Sequence, residues 1–175
     1  MGICPSFVTI HNMDLIRVRP MTPEDIPTIA AWMVQTPLWQ RYQLTIERAS
    51  QNFENALERG DVLLVADAGA DNIGCGFAWC LPQGGFGHSM YLRLIGVRQE
   101  RARVGVGAAL LRAAEEAALK VSRELFLLVS DFNLDAQRFY QRQGYQQIGA
   151  IPGYVLPDVT ELLYWKQLQP TSAII

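Results

Sequence analysis

The sequence predicts an α/β fold: a single domain with a mixed, mostly antiparallel sheet flanked by helices. Three observations carry this. Apolar runs of strand length recur near residues 15–19, 62–68, 73–81, 90–97 and 125–130. Segments with apolar residues at helical spacing lie between some of these runs but not others. The chain has 175 residues, half of them apolar, which suits one core in one domain. The resulting order, β-α-α-β-β-β-α-β-α-β-β, places hairpin-linked and helix-linked strands in the same sheet.

Each element has a local cause. Leu15-Ile16-Arg17-Val18-Arg19 alternates apolar and basic residues, as a strand with one covered face does, and Pro20 ends it. Thr22-Pro23-Glu24-Asp25 reads as an N-cap, a proline at the first helical position and acids in the first turn, opening a helix to about Val34. A second helix is expected over residues 46–59, capped by Thr45, with Ala49, Phe53, Ala56 and Leu57 on one face and Gly60 as its stop. Two runs then flank the turn chemistry of Gly69-Ala70-Asp71-Asn72, which predicts an antiparallel hairpin. Residues 83–88 carry too much glycine for regular structure and read as a mobile loop, with a central strand resuming at Met90. Residues 106–120 form a helix with Leu110, Ala113, Ala114 and Ala117 inward. Arg112, Glu115, Glu116 and Lys120 face outward, where Arg112–Glu116 and Glu116–Lys120 are spaced to pair. The unbroken apolar run 125–130 suits a buried parallel strand. A helix over 134–143 closed by Gly144 and strands near 145–148 and 160–166 complete the fold. Residues 1–13 are expected to form a leader, 14–168 the domain and 169–175 a tail whose apolar end suits a homodimer contact.

Composition excludes several classes. The formal charge is −2 without a basic block, so neither nucleic acid nor a membrane surface is the expected partner. Cys4, Cys75 and Cys80 are an odd number without CxxC spacing, which points to a reducing cytoplasm rather than a disulfide framework or structural zinc. No apolar run approaches the roughly 20 residues of a membrane helix. The start Met1-Gly2-Ile3-Cys4-Pro5-Ser6 fits the pattern of N-myristoylation, which is short enough to recur by chance.

The chemistry concentrates after the central strand. There the chain runs Arg101-Ala102-Arg103-Val104-Gly105-Val106-Gly107-Ala108 into a long helix. Glycines at a helix start let backbone N–H groups and the positive end of the helix dipole face an anion, and Arg101 and Arg103 add charged donors suited to a diphosphate. The same glycines would serve a tight turn with no ligand, and these residues alone leave both open. The third glycine of a dinucleotide fingerprint and the lysine of a phosphate-loop nucleotidase are missing, and His, Cys and acids do not gather at ligand spacing. No nicotinamide or metal is expected.

A second stretch follows the next strand: Asn133, Ala136, Phe139, Tyr140, Gly144 and Tyr145 in an N-x-x-A-x-x-F-Y-x-x-x-G-Y arrangement. With the G-x-G helix upstream, the chain resembles the GNAT acyltransferase superfamily over residues 14–168. The resemblance implies the acyl-CoA N-acyltransferase fold and transfer of acetyl from acetyl-CoA to a primary amine by direct attack. It implies that the loop 101–108 holds the coenzyme A diphosphate, that backbone at Ile95, Gly96 and Val97 pairs with the pantetheine arm between splayed strands, and that Asn133, Ala136 and Tyr140 lie beside the cofactor. Tyr140 would protonate the leaving thiolate. A packing role for Tyr140 with Phe139 and Tyr145, and a purely capping role for Asn133, fit the same residues.

Two features depart from the superfamily pattern. Ala102 stands where the loop commonly begins with Arg or Gln, so the grip on phosphate would rest on backbone and displaced arginines. Neither strand that often carries a proton-accepting glutamate has one, which leaves His88, Tyr91, Asp131 and Glu161 as equal candidates, alone or through water, while a free-amine fraction arriving from solvent would need no strong base. The acceptor pocket is expected near the first helices and the 83–88 loop, among Trp32, Trp39, Tyr42, Phe53, Trp79 and Phe86. A small molecule or amino acid is the expected acceptor, with a protein N-terminus or lysine, or an idle acyl-CoA sensor, as alternatives.

Overall fold

The computed structural model describes residues 16–70 and 72–169. The expected leader, the last residues of the tail with the dimer contact assigned to them, Cys4, Leu15 and Asp71 lie outside the described residues. The elements are β1 (Ile16–Pro20), α1 (Ile26–Met33), α2 (Pro37–Arg41), α3 (Ile46–Arg59), β2 (Val62–Ala68), β3 (Gly76–Gly85), β4 (Ser89–Val97), α4 (Val106–Ala118), β5 (Glu124–Ser130), α5 (Leu134–Arg142), β6 (Gln146–Pro152) and β7 (Thr160–Gln167). One seven-stranded sheet runs β1-β2-β3-β4-β5-β7-β6, with every neighbouring pair antiparallel except β4 and β5. The fold is the predicted one. No described helix is long and apolar enough to cross a membrane.

Two apolar layers cover the sheet. On one face Ile29 and Met33 of α1 and Phe53 and Ala56 of α3 pack on Val65, Phe77 and Trp79. On the other, Val106, Leu110, Leu111 and Ala114 of α4 pack on Ala66, Ala78, Leu125 and Leu127. Gly76 lets α4 approach: a Cβ there would lie 2.9 Å from Leu110 Cδ1 and 2.9 Å from Val106 Cγ1. The first turn of α4 is thereby pressed against the sheet beside the end of β4.

Helix ends follow the predicted chemistry where side chains control it. Thr45 Oγ1 accepts the Arg48 N–H, and Gly60 closes α3 at φ 74°. The N-terminal segment behaves differently. Pro23–Asp25 is a 3-10 turn and the α-helix starts only at Ile26, because the Asp25 carboxylate reaches back to accept the Thr22 N–H (2.8 Å) and both arms of the Arg19 guanidinium. Residues 37–41, unassigned from the sequence, make the one-turn α2 started by Pro37.

The 83–88 segment corrects the sequence reading most. Instead of an irregular loop, β3 continues to Gly85 and β4 starts at Ser89, joined by a tight turn through Phe86, Gly87 and His88. The glycines serve close approach: a Cβ on Gly84 would lie 2.7 Å from Leu81 Cβ, and one on Gly85 would lie 2.9 Å from Phe126 Cδ2. Glu115 also departs from expectation. It turns inward to accept from Lys166 Nζ (2.7 Å) and the Tyr145 hydroxyl (3.0 Å), while Arg112, Glu116 and Lys120 form no ion pairs with one another among the described residues.

The Arg19–Asp25 contact generates a pH prediction. Hydrogen bonds from Arg19 hold the Asp25 carboxyl below the ordinary aspartate range. A group whose folded pKa is depressed contributes stability that is complete above its unfolded value, near 4, and lost as pH falls through the folded value. Asp25→Ala should cost about 1–3 kcal/mol at pH 7, and the gap to wild type should narrow in thermal melts as pH is lowered below about 4.

Candidate active site

The site starts where the sheet comes apart. β4 and β5 pair in parallel only at Met90–Leu125, Tyr91–Phe126 and Leu92–Leu127. Beyond Leu92 the strands diverge. Trp79 pairs with Leu94 and Cys80 with Leu92, so Arg93 is an extra residue that bulges β4 where the parallel pairing ends. Past the bulge the Arg98 N–H donates to the Cys75 carbonyl (2.8 Å). Strand alternation therefore turns the backbone of Leu94 and Gly96 toward β3 and that of Ile95 and Val97 toward the gap. Gly96 has a different cause: a Cβ there would lie 2.7 Å from Phe77 Cε1 and 3.1 Å from Trp32 Cη2.

The mouth of the gap meets the start of α4. The first helical bond runs from the Ala109 N–H to Gly105, so the N–H groups of Val106, Gly107 and Ala108 have no acceptor within the helix. Gly105 takes φ 97° and Arg103 φ 66°, left-handed values that turn the chain into the helix. Gly107 is another matter. A Cβ there would sit 3.7 Å from Phe139 Cζ and from Val97 Cγ2, ordinary contact distances, so packing does not demand its bareness. Val104 is exposed, as is the Arg103 side chain at 88 %, which lies 3.7 Å from Asp135. Arg101 closes a 3-10 turn, Gln99–Arg101, just before the loop.

α5 supplies the other wall. Asn133 caps it, its side chain accepting the Ala136 N–H at 3.2 Å, and both residues also border the cleft. Tyr140 is 5 % exposed and stacks edge-on against Phe139 and Tyr145. Its hydroxyl forms no hydrogen bond with any described residue although the side chain borders the cleft. Burial, and then the neighbouring Cys80 and Tyr91, push its phenol pKa up.

The cleft holds about 1060 Å³ and extends from the gap across Trp39, Tyr42, Tyr91 and Tyr154. Of the six aromatic residues expected there, Trp39, Tyr42, Phe53 and Trp79 border it. Trp32 instead donates to the Gly74 carbonyl inside the core, and Phe86 stands exposed at the hairpin tip against Phe126. Arg41 crosses from α2 to stack on Phe132 (4.0 Å) and pair with Asp158 (3.2 Å).

The four proton-acceptor candidates separate clearly. His88 is exposed on the hairpin turn, and Asp131 is exposed and caps the Thr160 N–H. Tyr91 borders the cleft with its phenol pushed up to about 12 by burial. Glu161 also borders the cleft, is 5 % exposed, and lies within hydrogen-bond distance of the Ser130 hydroxyl (3.3 Å) and the Tyr42 hydroxyl (3.1 Å). Burial raises the Tyr42 phenol as well. Ser130 and residues 154–156 were not anticipated as parts of the site. Nothing local marks them, since they meet the cleft only through the β5–β7 register and the β6–β7 connection. Among the described residues no three His, Cys, Asp or Glu gather as metal ligands.

Comparison with known proteins agrees with this geometry. The model of the acetyltransferase (GNAT) family matches residues 27–145. The chain belongs to the GNAT acetyltransferase family. Among solved structures it is similar to a ribosomal-protein-alanine N-acetyltransferase from Brucella melitensis, at 23% identity and TM-score 0.70 over 87% of this chain and 99% of that one. An aminoglycoside 6'-N-acetyltransferase complexed with coenzyme A matches at 14% identity and TM-score 0.71, over 90% of this chain and 99% of that one. A GNAT acetyltransferase from Bacillus cereus matches at 15% identity and TM-score 0.72, over 89% and 99%. No curated protein sequence matches the chain.

The two glycines of the loop should respond differently to alanine. Gly105→Ala puts a Cβ at a left-handed position and should cost about 1–2 kcal/mol. Gly107→Ala adds a methyl at ordinary contact distance inside a helix and should melt at or up to about 1 kcal/mol above wild type. Thermal melts of the two variants side by side check this.

Proposed function

We propose that the protein transfers acetyl from acetyl-CoA to the primary amine of a small molecule, by direct attack of the amine in the cleft between the two halves of the sheet. The observation that carries this is the gap between β4 and β5, because it opens toward the bare start of α4 on one side and the aromatic cleft on the other. Acetyl-CoA supplies an acyl thioester whose carbonyl accepts an amine. Everything else is positioning and charge stabilisation by the chain.

The N–H groups of Val106, Gly107 and Ala108 face where a diphosphate would lie, and the bare Gly107 admits its oxygens. Val104 and Gly105 shape the turn, and Arg101 and Arg103 add positive charge beside it. The backbone of Ile95 and Val97 offers the pantetheine amides the hydrogen bonds that β5 gives up. Of the three β4 residues expected to contribute, Gly96 would act through packing, its backbone being turned to β3.

Tyr140 is placed to give its proton to the departing thiolate. Its raised pKa keeps the phenol protonated at neutral pH, and the desolvation that raises it acts on a thiol in the same cleft. The free hydroxyl supports this assignment over a packing role, because a core tyrosine normally ties its hydroxyl to a partner. Asn133 and Ala136 hold the start of α5, and so Tyr140, beside the gap.

Two structural details favour a small acceptor over a peptide. The Arg41 side chain bridges the α2 wall to Asp158 on the β6–β7 connection, and residues 154–156 border the same cleft as Trp39. A peptide backbone needs an open groove, whereas a metabolite amine fits an aromatic pocket.

Tyr140→Phe deletes a hydroxyl that no described residue uses, so melting temperature and coenzyme A affinity should stay at wild-type values. The turnover number should drop about 10²–10⁴-fold. Steady-state kinetics over a panel of primary amines, with melts of the same samples, check it. Near-normal turnover would return Tyr140 to the core.

A further inference from the structure

Glu161 is the one carboxylate among the described residues that is both 5 % exposed and on the wall of the cleft. Its neighbours are unusual for a buried acid. Ser130 Oγ lies 3.3 Å from each carboxylate oxygen, and the Tyr42 hydroxyl lies 3.1 Å from Oε1. Both hydroxyls are neutral. No lysine or arginine pairs with Glu161 among the described residues, in contrast to Asp25, Asp67 and Glu115, each of which meets a cation. A carboxylate taken out of water is costly unless a cation reaches it, and neutral hydroxyl neighbours offset only part of that cost.

The arrangement is also braced from separate elements. Glu161 faces Ser130 across the β5–β7 pairing, and Tyr42 arrives from the segment after α2, so the carboxylate is fixed rather than free to swing to solvent. The Ser130 and Tyr42 oxygens lie 2.7 Å apart, so one of the two hydroxyls donates to the other and a single hydroxyl proton is left for the carboxylate. The cations of the cleft, Arg41, Arg48 and Arg93, are all exposed. Arg41 is committed to Asp158 and Phe132, and Arg93 lies over the Trp79 ring. Tyr42 and Tyr91 line the same cleft as Glu161, so a partner reaching the carboxylate through the cleft meets aromatic walls.

We infer that Glu161, held by Ser130 and Tyr42, is the docking site for the acceptor's ammonium group and takes its proton, so that the acceptors are compact primary amines with an aromatic or apolar body. This rests on the acetyl-transfer function proposed above. The acceptor enters as R–NH3+. One N–H proton passes to the Glu161 carboxylate, and the freed nitrogen lone pair forms a C–N bond to the thioester carbonyl carbon. As the C–S bond breaks, the sulfur takes the Tyr140 proton, and the nitrogen gives its second proton to the Tyr140 oxygen. The products are R–NH–acetyl and coenzyme A thiol, and the proton on Glu161 leaves to solvent. The same site excludes acceptors that place a carboxylate next to the amine, since two anions would then meet in a buried cleft.

The test uses benzylamine and benzyl alcohol, which share a shape and differ in charge. Coenzyme A is titrated first by calorimetry. Failure to bind it counts against the transfer function alone, and the amine titration then continues on the free protein. Wild-type protein should bind benzylamine at least about tenfold tighter than benzyl alcohol, the scale of a charge-assisted hydrogen bond. Glu161→Gln should bring the two within about threefold while coenzyme A affinity stays unchanged, and in turnover assays it should raise KM for the amine and lower kcat while leaving KM for acetyl-CoA unchanged. Equal affinity for amine and alcohol in the wild type would overturn the assignment, and this comparison stands even if the variant fails to fold. A tenfold preference surviving in Glu161→Gln would overturn it equally.

Discussion

The early end of pairing between β4 and β5 is the constraint on which the rest of the site depends. After Leu92 and Leu127 the two strands go separate ways, and the bulge at Arg93 fixes where this happens. Backbone groups in the middle of a sheet are strong hydrogen-bonding groups, and leaving one buried and unpaired costs about 1–3 kcal/mol. The parted strands must therefore be satisfied by something other than each other. Water can do this in the free protein, and an arm carrying its own amides can do it better. The close seat of α4 over Gly76 brings the start of that helix to the same opening. In the function proposed above, a diphosphate at the helix and an amide chain in the gap would be two ends of one extended ligand.

Charge is arranged along the cleft to match. The start of α4 is positive by virtue of its unpaired N–H groups, the Glu161 carboxyl lines the cleft, and burial opposes ionisation of the Tyr140 and Tyr91 phenols. The arginines at the cleft, Arg41, Arg48 and Arg93, stay in the exposed zone, where solvent screens them. Family membership accounts for the fold, but matches under 25% identity do not choose among acceptors. That choice rests on this chain's own walls.

Much of this is legible in the sequence. The limits of α3 and α5 follow from Thr45, Gly60, Asn133 and Gly144, because capping chemistry is local. The central place of β5 showed in its apolar run, although it is parallel only to β4 and antiparallel to β7, and Asn133, Ala136 and Tyr140 do border the cleft. What failed to show was long-range. Gly84 and Gly85 looked like a loop because glycine marks both flexibility and close approach, and only the positions of Tyr91 and Phe126 separate the two. Glu115 sat on the polar side of a helical repeat, yet a lysine 51 residues away draws it inward. Glu161 stood among four equal candidates because its distinction, burial beside two hydroxyls and no cation, arises from Tyr42 and Ser130, which are 119 and 31 residues distant. Periodicity carries no information about such partners.

Amide hydrogen exchange at single-residue resolution tests the central claim most directly, with and without coenzyme A. Leu94 and Gly96 bond to β3 and should exchange slowly in both states, whereas Ile95 and Val97 face the gap and should exchange fast in the free protein and slow down when coenzyme A is added. Protection of Ile95 and Val97 in the free protein, or no change at either amide at saturating coenzyme A, would contradict the account of a sheet parted to receive that ligand.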